Sequence, residues 1–167
     1  WRPMTWEIDG IDYTWERPIS TQQTGFSFVS QSRSWLPDAV GGVLWYGVDD
    51  SYFTVYTPFY ACADRIPPSF AEGSMDEFSW ESAWWVVNFV SNYANLRWEL
   101  MRPDIQAVQA ELEGRLTAMQ PAVEQAALSL YNDDPALARD YLGDYTAAVA
   151  ARNLERYVEL AGDLIRT

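Results

Sequence analysis

The sequence predicts an α+β fold in which antiparallel strands come first and long helices follow. Two observations carry this reading. Apolar residues alternate with a period of two between Thr24 and Tyr56, then recur at three- and four-residue steps from Ser79 onward. The segments between the strand candidates are short, which favours neighbouring antiparallel strands. At 167 residues the chain is long enough for one domain with a real core. A sheet with one face covered by helices would bury both patterns.

Taken in order, Trp1 to Ser20 shows no clean period. Trp6, Ile8, Ile11, Tyr13 and Trp15 are spread around the turn dipeptide Asp9-Gly10, so this stretch reads as irregular chain with at most a short strand. From Thr24, Phe26 and Phe28 point one way and Ser27 and Val29 the other, giving a strand to about Arg33. Pro37 and Gly41-Gly42 bracket a turn. Val43 to Val48 is the second strand, Asp49-Asp50-Ser51 turns the chain, and Tyr52 to Tyr56 is the third. Pro58 ends that strand or places it at an edge. Ile66 to Glu77 reads as a loop.

Ser79 is the expected cap of the first long helix, on which Trp80, Trp84, Val87, Ser91, Ala94 and Trp98 fall at helical spacing. Pro103 is expected to open the second, whose apolar stripe runs from Ile105 through Leu112, Leu116 and Val123 to Leu130, with a kink at Pro121. Asp134 and Pro135 form the cap and first position of a third helix reaching toward Ile165. The last two helices pair as an antiparallel hairpin. Residues 1–78 are thus mainly strands and loops and 79–167 mainly helical, with no internal repeat.

Composition narrows the chemistry. With 24 acidic and 11 basic residues the net charge is −13, and a phosphate backbone would be repelled, so no nucleic-acid partner is expected. No membrane partner is expected either, because the densest apolar run, Trp84 to Val90, is far too short to span a bilayer. The chain contains no histidine, which removes Ser-His-Asp and Cys-His arrangements within it. Cys62 is the single thiol, so neither a zinc site nor an internal disulfide is expected, and no cofactor pattern is present. One cysteine does not decide the compartment. Nine tryptophans and ten tyrosines are an unusual number, suited to a core between large elements or to an interface.

Among side chains that could carry chemistry, Arg33 stands out. It ends a strand beside Gln31 and Ser32 and precedes Trp35. Its fork of five N–H donors can hold a carboxylate or a developing oxyanion, and a salt bridge at a sheet end is the structural alternative. Gln31 and Trp35 are the accompanying candidates for substrate binding, with Gln22 and Gln23 able to orient a peptide-like ligand. Asp49-Asp50 reads as a structural turn sooner than a catalytic pair. Cys62, within the apolar run FYACAD, reads as buried sooner than nucleophilic.

Several separated blocks agree, in order, with one family. They are T-Q-Q-T at Thr21–Thr24, S-Q-x-R at Ser30–Arg33, the Leu36-Pro37 turn, G-G-V-L-W at Gly41–Trp45, Y-x-P-F-Y at Tyr56–Tyr60, and the tryptophan-rich segment Asp76–Val90. Residues 17 to about 105 resemble the later part of the bacterial cysteine dipeptidases of the N-terminal-nucleophile (Ntn) hydrolase superfamily. The resemblance implies the C-terminal portion of one catalytic domain with an αββα sandwich. It implies hydrolysis of short peptides by a cysteine thiol exposed at a chain terminus, whose own α-amine serves as base, so that neither histidine nor metal is needed. Arg33 resembles the arginine that related acylases carry near the nucleophile.

The sequence departs from the family in one respect: Trp1 has neither thiol nor hydroxyl, and Cys62 does not match the terminal cysteine. The resemblance therefore implies a partner, the N-terminal part or chain of the same enzyme, which carries the nucleophile, and a fragment inactive alone. Trp1, Trp15 and Val43 are expected to cover surface on that part. The family allows secretion or a periplasmic location, and cytoplasmic placement stays open. Two alternatives remain: a linear-amide acylase of related mechanism, and a non-catalytic helical interaction module forming a homo-oligomer through its long amphipathic helices.

Overall fold

A computed structural model describes residues 5–16, 19–21 and 23–167. Arg17, Gln22 and Trp1 lie outside the described residues. The fold is α+β, with two antiparallel sheets followed by three long helices, as the sequence predicts.

The first sheet is a hairpin of β1 (Thr5–Ile8) and β2 (Ile11–Thr14). Asp9 and Gly10 both take positive φ, 52° and 76°, the backbone that a two-residue hairpin turn requires. The expected irregular chain is thus regular here, because the Asp-Gly turn fixes the register. Trp6 pairs with Tyr13 across the strands and their rings stack at 6.2 Å. Every residue of both strands is exposed, including Ile8 and Ile11.

The second sheet has the order β3-β4-β5, formed by β3 (Phe26–Ser32), β4 (Gly42–Val48) and β5 (Thr57–Tyr60). Between β3 and β4, the expected turn is a single helical turn, α1 (Asp38–Gly41). The third strand differs from the expectation of 52–56. Asp50 O accepts the N–H groups of Phe53 and Thr54 in a tight turn, and Phe53 and Val55 enter the core. Pairing resumes only at Thr57, and Pro58 sits on an edge strand, where its missing N–H is tolerated.

The register places Val43, Trp45 and Tyr60 on one face of the sheet and Phe26, Phe28, Leu44, Tyr46 and Phe59 on the other. The first face packs on helices. Val43 and Tyr60 join Val40, Val123, Ala127 and Leu142 in one buried cluster. Val43 is 3% exposed within this chain, which corrects the expectation that it meets a partner. The second face carries an aromatic series: Phe26 stacks on Tyr46 at 5.7 Å, and Tyr46 meets Phe59 edge-on at 6.0 Å. Phe70, on the short α2 (Pro68–Ala71) inside the expected loop, covers one end of it. Phe26 and Phe28 remain 56% and 54% exposed. β3 is moreover an edge, with β4 as its one strand neighbour in the sheet.

The helices are α3 (Ala83–Ala94), α4 (Trp98–Asp133) and α5 (Pro135–Arg166). α3 starts four residues after the expected cap: Ser79 Oγ instead accepts the N–H of Glu81 in a local turn, and Ser82 takes the N-cap position. α4 opens at Trp98, not Pro103, and continues through Pro121. Asp134 caps α5 by accepting the Ala136 N–H at 2.8 Å, with Pro135 at the first position, as expected. α4 and α5 run antiparallel: Arg156 reaches back to Glu111 at 3.7 Å. The main core lies between α3, α4, α5 and the 53–55 segment, around Phe53, Val90, Ile105, Tyr157 and Leu160.

Candidate functional site

Arg33 follows β3 on the helix-facing side of the sheet. Its Nη1 donates to Glu124 Oε2 of α4 at 2.6 Å, its Nη2 to Val40 O at 3.0 Å and its Nε to Gly41 O at 3.4 Å. The side chains of the pair are about nine-tenths buried, so water screens this charge pair little. Glu124 Oε1 accepts from Gln120 Nε2 at 2.9 Å and from Tyr60 O–H at 3.2 Å. Burial first, and the Glu124 charge second, push the Tyr60 phenol far above its ordinary range, so it stays a donor. Gln31 Oε1 accepts from both Gln120 Nε2 at 2.9 Å and Trp45 Nε1 at 3.1 Å. One connected network therefore joins the end of the sheet to α4, and two of the five N–H groups of Arg33 remain uncommitted within it.

The structure brings Arg33 and Gln31 together through Gln120 and Glu124. Trp35 does not join them: it is 76% exposed beyond the strand. Gln23 is exposed and pairs locally with Thr21. Cys62 is half-buried beside the cluster of Val40 and Leu142, and burial raises its thiol, which disfavours the thiolate. Sequence reasoning missed Glu124 and Gln120. Their signal was available: Leu112, Leu116, Gln120 and Glu124 continue one helical stripe at steps of four, and two polar residues on a buried stripe need a polar partner across it.

A second polar locus lies at the opposite end of β4. Asp49 takes φ 60° and is 2% exposed; Asp50 is 5% exposed. Asp49 Oδ1 accepts from Asn88 Nδ2 of α3 at 3.2 Å, while its Oδ2 has no partner among the described residues. Asp50 Oδ2 accepts from Ser91 Oγ at 2.7 Å, and its Oδ1 from Tyr52 N–H at 3.0 Å and Ser20 Oγ at 3.4 Å. Burial raises the Asp49 carboxyl above its ordinary value, against the lowering by the Asp50 N–H and Asn88. Asn92 and Asn95 bond back to their own helix, at Asn88 O and Ser91 O.

Among the described residues, no helix is long and apolar enough to cross a membrane. Compared with known families, residues 6–111 match the model of peptidase family C69, more than half of the chain. No curated protein matches the chain.

Proposed function

The chain belongs to peptidase family C69, and from that premise we propose that it is the C-terminal portion of a cysteine dipeptidase whose nucleophilic thiol is supplied by other polypeptide of the same enzyme. The observation that carries this reading is the family match over residues 6–111. Three features support it. The aromatic face of the second sheet is bare at Phe26 and Phe28. Strand β3 offers a free edge. The β1–β2 hairpin is exposed on every residue, and an isolated two-stranded hairpin is marginal in water. A second sheet packed on the aromatic face would complete the sandwich. The N-terminal part of the same enzyme is the occupant proposed for that face.

In this mechanism the thiol of a terminal cysteine passes its proton to its own α-amine and attacks the peptide carbonyl carbon. The amine leaving group takes the proton as the C–N bond breaks, and a thioester forms. Water then adds to the thioester, releasing the acid and restoring the thiol. Arg33, its fork held by Glu124 and by the Val40 and Gly41 carbonyls on the helix side of the sheet, is proposed as a positioning residue that fixes the end of β3 against which the companion builds the substrate site. Trp35, exposed beyond the strand, is proposed to bind the peptide from a separate position, and Gln31 to support it through the network to Gln120 and Trp45.

The test is dipeptide hydrolysis by the assembled enzyme. Hydrolysis is expected, and is expected to vanish when the companion's terminal cysteine becomes alanine; activity retained in that variant defeats the mechanism. In the same assay Arg33→Lys should lower turnover more than it lowers thermal stability, since lysine keeps the charge opposite Glu124 and loses the planar fork. Equal turnover would remove Arg33 from the site.

A further inference from the structure

Asp49 and Asp50 are two consecutive buried carboxylates, and among the described residues no lysine or arginine pairs with either. A buried anion without a counter-charge is costly. One oxygen of Asp49 also lacks any hydrogen-bond donor among the described residues. Among the described residues the pair thus carries negative charge without a counter-ion, and of the two it is Asp50 that reaches the cavity beside it.

Asp50 lines a cavity of about 280 Å³ together with Ser20, Tyr52, Asn95 and Trp98. Among the described residues no basic side chain is in that lining. Tyr52 and Trp98 stack at 5.8 Å with an interplanar angle of 18° and form one wall. The Tyr52 hydroxyl accepts from Gln106 Nε2 at 2.9 Å. The Asn95 amide N–H bonds Ser91 O, leaving its carbonyl oxygen as an acceptor. Of the four lone-pair positions on the Asp50 carboxylate, three are occupied, one of them by the long contact to Ser20. A carboxylate, an amide carbonyl and aromatic rings favour a cation. The rings suit an organic cation better than a metal ion, and no group of three or more His, Cys, Asp or Glu that could hold a metal is found among the described residues.

We propose that this cavity binds a primary ammonium group attached to an apolar body, with the ammonium at Asp50 and the body against the Tyr52–Trp98 wall. Asp49 adds to the local negative field. The inference rests on the cavity's own chemistry and is independent of the peptidase reading. The ammonium has two sources of the same chemistry: the free terminus of a peptide substrate, or a free amine.

The probe is phenethylamine, which has one ammonium, one ring and no carboxylate, titrated calorimetrically at pH 7 against the protein, with N-acetylphenethylamine as the uncharged counterpart. Saturable binding of the amine is expected, weakened about tenfold or more by acetylation and by Asp50→Asn. Asp50 is tied into the core, so Asn95→Lys is the second variant: it places a cation in the cavity from an exposed position and should abolish binding with the thermal melt unchanged. Equal binding of the acetylated probe, or binding by the Asn95→Lys variant within about twofold of the parent, overturns the proposal, as does absence of saturation by about 10 mM. In the assembled enzyme, displacement of the probe by a dipeptide supports the proposal with the peptide terminus as source; undisturbed binding supports it with a free amine as source. Failure of dipeptide hydrolysis would sink the peptidase mechanism and leave this titration to decide the cavity.

Discussion

Asp49 concentrates most of the local strain and buried charge at the far end of β4. Left-handed backbone costs a non-glycine residue of order 1 kcal/mol, although aspartate tolerates it better than most. Burial raises its carboxyl, so the folded chain holds a proton that the unfolded chain has already released just above the ordinary aspartate value. Over that window the unfolded state binds fewer protons, and stability falls as pH rises through the folded-state value. Glu113, whose carboxyl is also raised by burial, acts in the same direction. Asp49→Asn keeps an acceptor for Asn88, tolerates the backbone and removes the charge. It should melt above the parent at pH 7, by about 2–4 °C for each kcal/mol recovered, and the gap should close as pH falls to about 4. Melts across that range check it; a parent more stable than the variant at pH 7 would contradict it. At this scale the sequence singled out Arg33 and Gln31, and it read the two aspartates as a structural turn. It could not show that Glu124 meets Arg33 from 91 residues away, because one sequence gives no register between a strand end and a helix that follows so much later.

The elements were more legible, and their misplacements share a cause. Alternation in Tyr52–Tyr56 suggests a strand, yet the Asp50 carbonyl captures two successive N–H groups and the side chains enter the helical core instead of pairing. The displaced turn packs against β4 at Gly47. A Cβ there would lie 2.5 Å from Thr54 Cγ2 and 2.9 Å from Thr54 Oγ1. Gly47→Ala should therefore cost about 1–3 kcal/mol, read as a shifted denaturation midpoint with unchanged slope. A shift below about 0.5 kcal/mol would mean that the Thr54 turn yields freely. Asp9-Gly10 and Asp134-Pro135 were readable in advance because their turn and cap geometries are local. The starts of α3 and α4 were not. Ser79 and Pro103 satisfy helix-start rules equally well, and tertiary packing of Trp98 against Tyr52 and Phe53 decides for an earlier start of α4.

For the molecule as a whole, the central feature is asymmetry. One face of the β3-β4-β5 sheet packs on α4 and α5 around Val43, Tyr60 and Leu142, although Val29 on the edge strand stays exposed. The other presents Phe26 and Phe28 to solvent beside an open edge strand, and a separate hairpin exposes Trp6, Ile8, Ile11 and Tyr13. Exposed aromatic side chains beside an open strand edge suit an interaction site. The net charge of −13 opposes self-association through such a surface. The most direct measurement is native mass spectrometry of the protein isolated from its source under non-denaturing conditions. Residues 1–167 are expected in an assembly with the N-terminal part of the same enzyme, which presents a terminal cysteine and shields Phe26 and Phe28 from solvent labelling. A lone monomer or homodimer with no cysteine-initiated companion would contradict that expectation.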